Sequence, residues 1–312
     1  MKTFILSASL VAICSPAFAD SWEQYSDQAK EAAQVSFVHG TLIVALPCKD
    51  GLLIMSDKRQ NDTAAGTYHD DGTKVNSSDK FTAFACTNQT HLVYRHPKTG
   101  HDFYLYDPND ILFRYLSAHP ISGRLKTHKS EIEEVLKKSF LAAFEERPLS
   151  KWPHYGESNI PLFTATLFHF DEPRKQFQIM TINFKYTPPA GMQKAIIDFE
   201  TVERPEYPVE LADPYVTGDA ISPEQFIAKA GLQAARRAFS ATNAVPKASD
   251  VPLPKAESTA ARLIYETAAL QEKKTISETV DTALIRPTTG FEMLQKNVPS
   301  KSLIVDEAPS AR

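Results

Sequence analysis

Short, uninterrupted apolar runs dominate the first third of the chain. Residues 41–46 and 52–55 are such runs, and Asp50-Gly51 lies between them, a strong signal for a β-hairpin. Further runs at 80–86 and 91–95 predict a third and a fourth strand. Strands without polar alternation are typical of sheets covered on both faces. The polar stretch 60–79, which contains two glycines, predicts a loop.

The rest of the chain shows helical periodicity in some segments and strand alternation in others. Residues 130–146 carry apolar side chains at helical spacing, which predicts a helix. Segments 162–170 and 176–184 alternate as strands around a turn at 171–174. Ser222-Pro223 has the residue types of a helix N-terminus and predicts a helix to about residue 241. A proline-rich connector at 244–255 precedes a predicted helix at 257–271 and a last strand at 279–285.

This order of elements predicts an α+β domain in which two sheets lie between layers of helices. An open parallel sheet would need a crossover between the first two strands, and the tight turn at Asp50-Gly51 excludes it. The domain is expected to span residues 41–298, and residues 299–312 are expected to form a flexible tail.

The first nineteen residues have the pattern of a cleaved signal peptide. Lys2 precedes an apolar stretch, and Ala17-Phe18-Ala19 has the small-x-small pattern of a cleavage site before Asp20. We therefore expect a periplasmic or secreted protein. Residues 20–40 would then be a propeptide or an N-terminal helix, with helical character predicted at 20–35.

Composition narrows the possible partners. The net charge is −4 with 42% hydrophobic and 23% charged residues, so a nucleic-acid or membrane-surface role has no electrostatic support. No G-x-G occurs among eleven glycines, which excludes the glycine-rich dinucleotide motif. No metal-ligand pattern occurs, and we expect no cofactor. Export would leave Cys48 and Cys86, either as a disulfide or as two buried thiols.

A stretch of about twenty residues carries a resemblance. Gly40-Thr41-Leu-Ile-Val, then Asp50-Gly51-Leu-Leu-Ile and Ser56-Asp57-Lys58-Arg59 resemble the opening of proteasome subunits and their bacterial relatives. These proteins are N-terminal-nucleophile (Ntn) hydrolases. The resemblance implies a four-layer αββα sandwich, and it continues more faintly over most of residues 40–291.

The resemblance implies that Thr41, freed by cleavage after Gly40, is a nucleophile whose own α-amino group acts as the base. Such an amine has a pKa near 7.7–8.0, so part of it is neutral at neutral pH. In the family a lysine, paired with an aspartate, favours the neutral amine. Asp57 lies sixteen positions after Thr41, which matches the family spacing. Lys80 fits the lysine by its place at a strand start, and Lys74 fits better by distance along the chain; we favour Lys80.

Three further positions follow from the resemblance. Thr217, in Thr217-Gly218-Asp219, corresponds to a hydroxyl before the first late helix. Glu272 and Thr275, in Glu272-Lys-Lys-Thr275, correspond to the family's Asp-x-x-Ser and depart from it in both residues. The alternative for each is an ordinary cap or loop residue.

Two functions are therefore expected. The first is an exported threonine-type peptidase or amidase that hydrolyses peptide or small amide bonds. It would self-associate, as family members do, and would act without an ATPase because an exported chain lacks ATP. The second is a catalytically silent, proteasome-like scaffold or binding protein that retains residues 20–40.

Overall fold

The computed structural model describes residues 34–39, 41–62, 67–70, 72–88, 91–95, 102–145, 162–187, 196–204, 211–218, 246–270 and 276–305. The strands are β1 (Gln34–His39), β2 (Leu42–Cys48), β3 (Gly51–Asp57), β4 (Gln60–Asp62), β5 (Thr67–His69), β6 (Val75–Ser77), β7 (Thr82–Asn88), β8 (His91–Arg95), β9 (Asp102–Tyr106), β10 (Phe163–Asp171), β11 (Gln176–Thr187), β12 (Ile196–Arg204), β13 (Tyr215–Gly218), β14 (Thr279–Arg286) and β15 (Gly290–Pro299). The helices are α1 (Pro108–Ala118), α2 (Leu125–Glu145), α3 (Leu253–Leu270) and α4 (Ser300–Leu303).

The described strands form three antiparallel sheets in a mixed α/β fold. Sheet I has the order β13-β2-β3-β14-β15, and sheet II has the order β12-β11-β10-β7-β6. Sheet III has the order β5-β4-β1-β8-β9. The predicted hairpin at Asp50-Gly51 joins β2 to β3, with Cys48 opposite Gly51. Gly51 has a positive φ of 148°, and a Cβ there would lie 2.2 Å from the carbonyl oxygen of Ile285, so this turn requires glycine.

Side-chain alternation along β2 gives each face of sheet I its own core. Ile43 and Ala45 pack with residues of sheet II such as Phe168 and Ile179. Leu42 and Val44 point to the opposite face of their strand and pack with α3. This period of two explains why β2 carries an apolar run: both of its faces are buried.

Sheet II is also covered on both faces. Phe84 and Leu167 pack with α1 and α2, whose Leu116 and Leu136 are fully buried in that core. The Asp107 carboxylate caps α1 by accepting hydrogen bonds from the backbone N–H groups of Asn109 and Asp110. The apolar residues of helix and sheet therefore face one another, as the amphipathic spacing at 130–146 predicts.

The structure corrects several predicted elements. The segment 60–79, predicted as a loop, contains β4, β5 and β6. Residues 34 and 35, predicted as the end of a helix, begin β1; the rest of that helix, the signal peptide and the helix at 222–241 lie outside the described residues. The connector at 244–255 is shorter than predicted, because α3 begins at residue 253. Sequence analysis missed α1, β9, β12, β13 and β15. Residues 300–303, assigned to a flexible tail, form α4.

The two cysteines of the predicted mature chain are free and buried. Cys48 packs against α3, whereas Cys86 belongs to the core with α1 and α2. Sheets I and II therefore lie between them, and a disulfide is geometrically excluded. Burial raises the pKa of both thiols.

No helix within the described ranges is long and apolar enough to cross a membrane.

We expect both thiols to react slowly with alkylating reagents in the native protein. Burial blocks access, and a raised pKa reduces the reactive thiolate. Timed iodoacetamide labelling followed by peptide mass mapping measures this, with the unfolded protein as the fast-reacting control. A disulfide-linked peptide containing Cys48 and Cys86 would contradict the arrangement.

Candidate active site

Thr41 directly precedes β2, which pairs in sheet I with β13 on one edge and with β3 on the other. It is buried, with 1% of its surface exposed. On one side β13 pairs with β2, so that Gly218 lies opposite Leu42. A Cβ on Gly218 would lie 2.4 Å from the Thr41 carbonyl oxygen. The glycine therefore permits close packing of β13 against the residue expected to be the nucleophile.

Asp57, at the end of β3, binds four donors. Its Oδ1 accepts hydrogen bonds from the backbone N–H of Leu42 at 2.6 Å and from the Lys74 ammonium at 2.8 Å. Its Oδ2 accepts from the backbone N–H groups of Arg59 at 2.9 Å and Ser277 at 3.1 Å. One fully buried carboxylate thus joins the start of β2, the end of β3 and the segments that precede β6 and β14.

Lys74, and not Lys80, is the lysine that Asp57 holds. The Lys74 and Asp57 side chains are 4% and 0% exposed. Lys80 is exposed, and its Nζ lies 4.6 Å from the centroid of the Phe81 ring. The expected Lys80–Asp57 pair is therefore not formed, and the alternative named above takes that place. The sequence favours Lys80 because it begins the predicted third strand. Lys74 also directly precedes a strand, β6, which the sequence does not predict.

A second ion pair stabilises the segment that leads to Lys74. The Arg59 guanidinium donates to both oxygens of Asp70, from Nε at 2.8 Å and from Nη2 at 2.7 Å. The hydrogen bond from Arg59 is the main reason that the pKa of Asp70 is lowered. Arg59 Nη1 also donates to the carbonyl oxygen of Ile276. The sequence predicts only a structural role for Arg59 and none for Asp70, and the structure connects both to the surroundings of Asp57.

Sequence analysis also missed a buried Lys58–Asp281 pair. Lys58 Nζ lies 3.0 Å from Asp281 Oδ2, and the two side chains are 6% and 1% exposed. Asp281 Oδ1 accepts the backbone N–H of Asn297 at 2.8 Å. Lys58 and Asp281 are 223 positions apart, so no local motif could have connected them. The adjacent positions Asp57 and Lys58 were the signal available in the sequence.

The three remaining predicted site residues have different outcomes. Thr217 lies in β13 opposite Ile43, two positions along β2 from Thr41. Glu272 and Thr275 lie outside the described residues. Ser277, close to them in the chain, is buried; its backbone N–H donates to Asp57, and its Oγ accepts the backbone N–H of Thr279.

The segment before Thr41 is part of a sheet. Within sheet III, β1 pairs with β8 from Gln34 opposite Arg95 to Val38 opposite His91. On its other edge Val38 and His39 pair with β4. The chain therefore passes from a strand of sheet III to a strand of sheet I within three residues, and Thr41 lies in this connection.

The comparisons with known proteins include a structural similarity. No protein-family model matches the chain, and no curated protein matches it. A solved structure of an Anbu (Gly-1) mutant from Hyphomicrobium sp. strain MC1 is similar, with a TM-score of 0.46 and 8% identity. The alignment covers 85% of this chain and 91% of that chain. In the described part of the chain, no group of three His, Cys, Asp or Glu residues could hold a metal ion.

We expect Lys74→Met to lower the free energy of unfolding by about 3 kcal/mol, because it leaves the buried Asp57 charge without its cation. Lys80→Met is the matched control: it removes the same group from an exposed position and should change stability little. Urea unfolding followed by circular dichroism measures both. Equal effects of the two substitutions would contradict the assignment of Lys74.

We expect Gly218→Ala to lower the free energy of unfolding by about 2 kcal/mol, since the added methyl group meets the backbone at Thr41. Thr217→Ser, at the preceding position, serves as the control because it keeps the hydroxyl and adds no atoms. Thermal unfolding compares the two variants. A Gly218→Ala protein as stable as the unsubstituted chain would show that β13 does not pack tightly on Thr41.

Proposed function

We propose that the protein is a proteasome-like Ntn hydrolase, a threonine-type peptidase or amidase with Thr41 as its nucleophile. The helix-covered outer faces of sheets I and II and their shared core support the αββα arrangement that this function implies. The resemblance of residues 40–59 to the opening of proteasome subunits supports the choice of Thr41.

One observation carries the proposal: Asp57 Oδ1 binds both the Lys74 ammonium and the backbone N–H of Leu42. Leu42 is the residue directly after Thr41, so the shared oxygen holds a buried cation next to the start of β2. A cation near an α-amino group favours its neutral form. A neutral amine on Thr41 could accept the proton of its own hydroxyl, which is otherwise a weak nucleophile.

The proposal requires cleavage of the Gly40–Thr41 bond. Thr41 Oγ attacks the Gly40 carbonyl carbon, the C–N bond breaks as the nitrogen takes up the hydroxyl proton, and an ester joins Gly40 to Oγ. Water then hydrolyses the ester, which gives a Gly40 carboxylate and restores the Thr41 hydroxyl. The same sequence on a substrate amide would use the freed amine as base, with backbone N–H groups stabilising the oxyanion.

The remaining parts of the proposal come from the sequence. The signal peptide at residues 1–19 would place the enzyme in the periplasm or outside the cell. Without ATP there, its substrates would be peptides or small amides that need no unfolding, and no ATPase partner would take part. Self-association is proposed by analogy with the family.

The test is the intact mass and N-terminal sequence of the protein purified from an exporting host. We expect a chain that begins at Thr41, and we expect Thr41→Ala to remain joined to residues 20–40. Hydrolysis of a panel of fluorogenic peptides and acyl amides should fall at least 100-fold in a chain that carries Thr41→Ala. Amidase activity that is unchanged by Thr41→Ala would overturn the assignment.

The second candidate is a catalytically silent scaffold, and the pairing of β1 favours it. Residues 34–39 are hydrogen-bonded in sheet III to a strand on each side, as expected of a permanent part of the fold. This candidate predicts a chain that begins at Asp20, with Gly40–Thr41 intact. It also predicts no covalent labelling by a β-lactone that reacts with N-terminal threonine.

A further inference from the structure

Arg59 connects three of the segments that surround the Asp57 carboxylate. It lies shortly after β3, and its backbone N–H donates to Asp57 Oδ2 at 2.9 Å. Its guanidinium donates to both oxygens of Asp70, which lies between β5 and β6. Its Nη1 also donates to the carbonyl oxygen of Ile276, before β14, at 3.5 Å. One residue therefore joins the end of β3 to two segments that are distant from it in the chain.

Each of these two segments also supplies a donor to Asp57, close to the residue that the guanidinium binds. Lys74, four positions after Asp70, donates from its ammonium to Asp57 Oδ1 at 2.8 Å. Ser277, directly after Ile276, donates its backbone N–H to Asp57 Oδ2 at 3.1 Å. The contacts of the guanidinium therefore restrain both segments at a short distance along the chain from their donors.

The Arg59–Asp70 pair restrains direction as well as charge. Nε and Nη2 donate to the two carboxylate oxygens at 2.8 and 2.7 Å, the two-point geometry that a planar guanidinium forms with a carboxylate. The Arg59 side chain is buried and that of Asp70 is 34% exposed, so the pair is largely shielded from solvent. Two parallel hydrogen bonds restrict rotation at Asp70, and with it the path of the chain toward Lys74.

We infer that Arg59 is a positioning residue of the proposed active site, which acts through Asp70 on the placement of Lys74. The Lys74 ammonium is thereby held on Asp57 Oδ1, the oxygen that also binds the residue after Thr41. This inference rests on the proposed function, in which that ammonium favours the neutral form of the freed Thr41 amine. The backbone N–H of Arg59 is kept in every substitution except proline, so a change of the side chain tests the positioning alone.

The ion pairs described around this end of sheet I join Lys74 to Asp57, Arg59 to Asp70, and Lys58 to Asp281. Lys58 and Asp281 lie on the β14 side of β3. The pKa of Asp70 is lowered, mainly by the hydrogen bond from Arg59. The Asp70 carboxylate therefore stays ionised between about pH 6 and 9, where an α-amino group titrates. Within this range a shift reports on the amine and not on the pair itself.

Removal of either partner should shift the titration of the Thr41 amine in the same direction. Arg59→Met removes a cation and Asp70→Asn removes an anion, so effects of charge at a distance would have opposite signs. Loss of the restraint is common to both variants. It leaves the Lys74 ammonium less closely held, so a higher pH is needed to neutralise the amine. A merely structural role would lower stability and leave this titration unchanged.

The experiment measures the pH dependence of covalent labelling of the full exported chain by a β-lactone, read as the mass increase of the Thr41 peptide. We expect the pH of half-maximal rate to rise by about half a unit in both Arg59→Met and Asp70→Asn. The matched controls are Arg286→Met and Asp50→Asn, which break an ion pair of the same residue types at the other end of sheet I. Both controls should leave the midpoint unchanged.

A midpoint that does not rise in both variants, or that rises equally in the controls, would overturn this inference and leave the proposed function standing. Two folded variants that stay uncleaved while the controls are cleaved would do the same, because the pair would then act before the amine exists. An unsubstituted chain that is not cleaved at Thr41, or is cleaved but not labelled, would overturn both. If Arg59→Met does not fold, Asp70→Asn decides: a midpoint that is unchanged or lower contradicts the role of Arg59.

Discussion

The Asp57 carboxylate is the constraint on which this end of the molecule depends. A fully buried charge is costly unless it is paired and hydrogen-bonded, and Asp57 meets this condition with one ammonium and three backbone N–H groups. One donor, the Arg59 N–H, directly follows β3, and the other three come from β2 and from the segments before β6 and β14. To satisfy the hydrogen-bonding capacity of this one carboxylate, three other parts of the chain must therefore meet next to Thr41.

The two buried lysines, Lys74 and Lys58, come from different parts of the fold. Lys74 arrives from a segment that folds against sheet I, and the Arg59–Asp70 pair restrains that segment four positions earlier. Lys58 belongs to sheet I itself and binds the neighbouring strand. Buried ion pairs add little net stability compared with apolar packing, whereas removal of one partner is costly.

Sequence reasoning succeeded where the signal was local. The Asp50-Gly51 turn and the apolar runs predict β2 and β3, and the resemblance points to Asp57, which lies at the end of β3 and binds the N–H of Leu42. It failed where the determining contact was distant. The choice between Lys74 and Lys80 depends on how residues 60–79 fold. The polar composition of this segment predicts a loop, but the segment contains three short strands. Asp281 sits in an apolar strand pattern, and its partner is 223 positions away.

Cleavage at Gly40–Thr41 is compatible with the hydrogen bonds that define the site. Asp57 binds the N–H of Leu42, one residue beyond the bond that would break. Conversion of the Thr41 amide to an amine therefore removes none of the four donors to Asp57, and the Lys58–Asp281 pair is equally independent of that bond. On the other side, β1 is held in sheet III by its own ladders to β4 and β8. Intact and cleaved chains can thus share one framework, so the scaffold and the enzyme that we propose as alternatives would differ by a single peptide bond.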